Sequence, residues 1–83
     1  MNHLKYLKTK LDIEFLSLLF MIKAGGFDLS RQVKEVDELI DIMITEFNYV
    51  PDQKAKFDKI LDALALQNPK NLVNFHKYEF SKN

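Results

Sequence analysis

A chain of 83 residues with 47% hydrophobic and 29% charged residues is too apolar for a disordered segment and too short for two hydrophobic cores, so one folded domain spanning 1–83 is expected. The absence of cysteine excludes a disulfide framework and thiolate metal ligation, and two glycines and two prolines are too few to punctuate a series of short strands. Twelve basic residues balance twelve acidic ones, but unevenly: residues 1–11 carry Lys5, Lys8 and Lys10 without an acid, whereas Glu35, Asp37, Glu38, Asp41, Glu46 and Asp52 follow one another without a base.

Leu4, Leu7, Leu11, Phe15, Leu18 and Ile22 recur at steps of three and four and predict a first helix ending near Ala24, where Gly25 and Gly26 suit a helix C-cap. Its start is ambiguous. Thr9-Lys10-Leu11-Asp12 resembles a capping signal, and three lysines in a first turn oppose the helix dipole, which makes residues 2–8 either a basic arm or the helix's own beginning. The run Phe15–Ile22, broken only by Ser17, is apolar nearly all the way round, although too short to span a membrane. Either this helix packs centrally, or one of its faces is covered by another chain through Leu16, Leu19 and Phe20.

Asp28 is positioned to cap a second helix whose stripe is Leu29, Val33, Val36, Ile40, Met43 and Phe47, with Lys34, Asp37, Glu38 and Asp41 on a solvated polar side and Ile42 off the stripe. Val50-Pro51-Asp52 opens a third helix, with Pro51 as first residue or Asp52 as cap, and a stripe of Phe57, Ile60, Leu61 and Leu64. Asn68-Pro69 starts a short fourth helix running to about Tyr78, and 81–83 form a frayed tail. The expected architecture is all-α: a compact bundle of three to four mostly antiparallel helices.

Catalytic chemistry is poorly represented. Thr9, Ser17, Ser30 and Thr45 have no histidine near them in sequence, and His3 and His76 sit towards the two ends, where a preorganised site is hard to build. The pairs Asp37/Asp41 and Asp58/Asp62 stand one helical turn apart, but lack the Glu-x-x-His companions of a di-metal bundle and read as solvated carboxylates. Gly25-Gly26 lacks the rest of a phosphate-binding loop. No enzyme activity, metal or cofactor is therefore expected.

The one-sided acidic run suggests a basic protein partner, met by Glu35, Asp37, Glu38 and Asp41 with Tyr49 beside them. The expected function is a noncatalytic protein–protein interaction module, a small bacterial or phage regulator or inhibitor that also self-associates through helix one. A helical nucleic-acid-binding regulator is the alternative, with Lys54, Lys56 and Lys59 as contacts; neutrality, a single arginine and interleaved Asp52, Asp58 and Asp62 weigh against it. Residues 1–8 lack the pattern of a signal peptide, and a cytoplasmic location is expected.

Overall fold

A computed structural model describes residues 2–67, all of whose regular structure is helical: α1 (His3–Ala24), α2 (Ser30–Phe47) and α3 (Gln53–Gln67). The fourth helix expected after Asn68, with His76 and the tail, lies outside the described residues. By its contacts the chain divides into two units, one running to Gln53 and the other starting at Lys54. The first holds the paired helices α1 and α2; the second holds nearly all of α3.

The N-terminal residues are helix rather than arm. Asn2 is the N-cap, its side-chain oxygen accepting the Lys5 N–H at 3.3 Å, and Tyr6 N–H reaches the Asn2 carbonyl at 3.2 Å. Capping here, seven residues before the Thr9 signal, places Leu7 on the buried stripe and so gives the first turns an apolar reason to stay wound. At the other end, Gly25 adopts φ 76° and ψ 165°, a combination essentially confined to glycine, and its N–H closes on Met21 O at 3.0 Å.

Leu29, not Asp28, occupies the N-cap position of α2 and makes no side-chain capping bond; Asp28 stands one residue earlier, where its carboxylate accepts the Ser30 N–H at 3.0 Å and the Ser30 hydroxyl at 2.8 Å in an Asx turn that leads into the helix. These bonds, the backbone one foremost, favour the ionised form and hold the Asp28 pKa below the ordinary carboxylate value. Exit is set by Asn48 in the left-handed region at φ 53°; the N–H groups of Asn48 and Tyr49 return to Ile44 O and Met43 O at 3.1 and 3.0 Å. Asparagine tolerates that conformation better than other side-chain-bearing residues.

The rings of His3 and Phe47 lie 5.8 Å apart, so the start of α1 meets the end of α2 and the two helices run antiparallel. Leu7, Leu11, Phe15 and Leu18 are buried on α1, and Val33, Val36, Leu39, Ile40 and Met43 on α2. A polar tie crosses between them, with Gln32 Nε2 donating to the Glu14 carbonyl at 2.9 Å and to Glu14 Oε1 at 2.7 Å. Beyond α2, Gln53 Nε2 donates to Asp12 Oδ1 at 2.6 Å. The antiparallel arrangement also meets the charge asymmetry of the sequence. The basic first turns of α1 reach the end of α2, where Lys8 Nζ stands 4.8 Å from the centre of the Tyr49 ring and the last helical turn has no base of its own.

In the second unit, α3 starts directly after Asp52, leaving Pro51 outside the helix instead of at its first position. Phe57 is buried and Ile60, Leu61 and Leu64 are half-buried, in the order their spacing predicts. Among the described residues no helix is long and apolar enough to cross a membrane.

Candidate interaction surface

Helix α1 has two apolar faces, and α2 covers one. At about 100° per residue, Tyr6, Thr9, Ile13, Leu16 and Phe20 fall on a single line opposite the buried Leu7–Leu11–Phe15–Leu18 stripe. Ile13, Leu16 and Phe20 are 61%, 66% and 67% exposed, and Tyr6 is 50% exposed. Leu19, which the sequence groups with Leu16 and Phe20, is half-buried on the flank between the two faces. An open hollow lined by Asn2, Lys5, Tyr6 and Thr9 continues the outer face to the start of the helix. Being open, it has the form of a docking surface more than of an enclosed small-ligand pocket.

The acidic residues do not share one solvated face. Asp37 is 9% exposed and belongs to the buried side of α2, Glu35 and Asp41 are half-buried, and Glu38 is exposed. Two residues along a helix means about 160° around it, so Glu35 and Asp37 flank opposite edges of the core stripe. Expecting Asp37 on the polar side overlooked that the covered sector of α2 is wide, taking in Leu39 at one edge and Asp37 at the other. Tyr49 is half-buried beneath the Lys8 ammonium.

The lysines of α3 are likewise dispersed. Lys54 is tied to Asp58 one turn on, at 2.7 Å, while Lys56 and Lys59 are exposed. At about 100° per residue, Lys54 stands about 140° or more from both, so the three do not form one basic strip. Among the described residues no group of three or more metal-ligating side chains is close enough to hold an ion. His3 stacks on Tyr6, with ring centres 6.1 Å apart.

No family model, curated protein or solved structure matches this chain. The functional reading therefore stands on geometry alone.

Two of the outer-face residues, Tyr6 and Ile13, were not singled out from sequence. The available signal was a second line of steps of three and four, offset to the far side of the same helix and overshadowed by the stronger leucine stripe.

Proposed function

We propose that this protein is a noncatalytic protein-interaction module whose contact surface is the outer face of α1. The observation that carries the reading is the coexistence on one helix of a fully covered apolar stripe and an exposed one. A helix with a single partner has no folding reason to keep Leu16 and Phe20 apolar, since polar residues there would cost nothing in the core and improve solubility. Taking about 150–250 Å² for a fully exposed large side chain, Tyr6, Ile13, Leu16 and Phe20 together expose roughly 500 Å². That is near the upper end of the ~300–600 Å² largest patch of a typical monomer, a class of patch that is often functional.

Glu35 and Glu38 would add electrostatic selection for a basic partner at the α2 side of the module, as rim charges that act more on encounter than on affinity. Such a module suits a small cytoplasmic regulator or inhibitor of bacterial or phage origin, which acts by occupying another protein.

The test is recovery of tagged full-length protein from its native cell extract by size-exclusion chromatography with light scattering, beside the Leu16→Glu and Phe20→Glu variants. A stoichiometric protein companion present with wild type and lost with both variants supports the reading. A companion retained by both removes the α1 face from it, and nucleic acid in the peak, released by salt, replaces it with the nucleic-acid alternative.

A further inference from the structure

The outer face of α1 has a spacing that fits a copy of itself. The steps along Tyr6, Thr9, Ile13, Leu16 and Phe20 are three, four, three and four, the repeat of 3.5 residues that keeps a seam facing a second helix in a left-handed coiled coil. We infer that two copies of this chain pair through this seam with their α1 helices antiparallel; the inference rests on the reading of that face as an interaction surface and names its partner.

Three observations carry the inference. The seam has no charged residue between Tyr6 and Phe20, so it is self-compatible and gives no electrostatic preference to a foreign partner. Joining two faces of roughly 500 Å² removes at most roughly 1,000 Å² in total, the lower limit for a specific interface, and places the pair among weak, transient dimers.

Packing across the seam then decides orientation. In a parallel pair, flanking positions five residues apart meet across the seam, which would set Lys5 against the partner copy's Lys10 twice, without any compensating acid. An antiparallel pair removes that Lys5–Lys10 juxtaposition but sets Lys23 opposite the other copy's Tyr6, beside its Lys5, so repulsion alone does not choose between the two. The antiparallel pair also sets Ile13 opposite Leu16 and Thr9 opposite Phe20, so that the smallest seam residue meets the largest. Each first turn then lies towards the other copy's helix C-terminus, whose carbonyl ends favour positive charge and already have Lys23 beside them.

The experiment uses the purified full chain. Sedimentation across a dilution series is expected to show a monomer–dimer equilibrium, and Leu16→Glu, which damages the seam once per copy, is expected to raise the dissociation constant at least about 100-fold. Because Ile13 and Leu16 are exposed, the monomer fold is expected to survive, as helical circular dichroism would verify. The double variant Ile13→Lys with Leu16→Glu sets opposite charges face to face in the antiparallel register and is expected to recover part of the lost association.

Absence of native cysteine permits a direct check of direction. On mild oxidation of a mixture, Thr9→Cys chains are expected to link to Phe20→Cys chains; links only between like chains would overturn the antiparallel assignment. A monomer throughout the series, or a dimer indifferent to Leu16→Glu, would overturn self-pairing. The broader reading is decided separately, since a heterologous companion in the extract experiment that Leu16→Glu removes would uphold the α1 face while self-pairing fails.

Discussion

Leu16 and Leu18 are two residues apart on the same helix, yet the structure assigns them opposite fates: Leu18 is fully buried and Leu16 is 66% exposed. Truncating Leu18 to alanine removes a side chain from a packed interior, with a transfer loss and a cavity that together cost about 2–5 kcal/mol. A domain of this size has a total stability of only about 4–12 kcal/mol at 0.05–0.15 kcal/mol per residue. Leu18→Ala should therefore lower the melting temperature by about 8 °C or more, at about 4–8 °C per kcal/mol. Leu16→Ala removes a side chain that folding of one chain scarcely covers, and alanine is a slightly better helix former, so its effect should stay within about 0.5 kcal/mol. The assay is thermal and urea unfolding followed by helical circular dichroism, at a dilution where sedimentation shows monomer. Equal losses for the two variants would refute the assignment of a covered and an open face on α1, because they would mean that the chain itself buries Leu16.

Other consequences are as direct. Gly25→Ala should destabilise by about 1–3 kcal/mol, although a Cβ there meets no atom within 4 Å, because the cost lies in the backbone conformation; a cost near zero in thermal melts would count against the φ 76°, ψ 165° geometry. Asn48→Gly should be neutral or stabilising and Asn48→Ala destabilising by about 1 kcal/mol, as the left-handed closure of α2 requires; melting the two side by side checks the ordering. Asp28 should titrate below the ordinary aspartate value of about 3.9, since its ionised form accepts both Ser30 hydrogen bonds. Its contribution is thus present above that ordinary value and is lost as pH falls through the lowered one; carboxyl NMR titration showing an unshifted Asp28 would contradict the Asx contact.

The opposed charges of the sequence acquire a simple meaning in the fold. The lysine-rich start and the acid-rich middle look like two surfaces for two partners when laid out along the chain, but the hairpin of α1 and α2 brings the first against the end of the second, as the Lys8–Tyr49 contact shows. With Asp37 drawn into the buried side, the acidic run offers less open charge than its sequence suggests, and the exposed apolar line of Tyr6, Ile13, Leu16 and Phe20 lies on the other helix.

Helical class, the buried middle of the α1 stripe from Leu7 to Leu18 and the glycine stop after Ala24 are legible in sequence, because each depends on residues three or four apart or on one residue's backbone preference; the same stripe's ends, half-buried Leu4 and exposed Ile22, lie where coverage runs out. Asn2 was also legible in principle as a capping residue, but the cluster of lysines behind it argued for a later start; burial of Leu7 decides for the earlier one. The same local logic could not tell which side of α1 is covered, since both sides repeat with helical spacing and only the position of α2 distinguishes Leu18 from Leu16. It could not show that the covered sector of α2 extends to Asp37 and Leu39, or that Lys54 turns to Asp58 away from Lys56 and Lys59. Periodicity is a property of the chain's own geometry, whereas coverage depends on a neighbour distant in sequence, and for this protein the proposed interaction surface is defined by coverage.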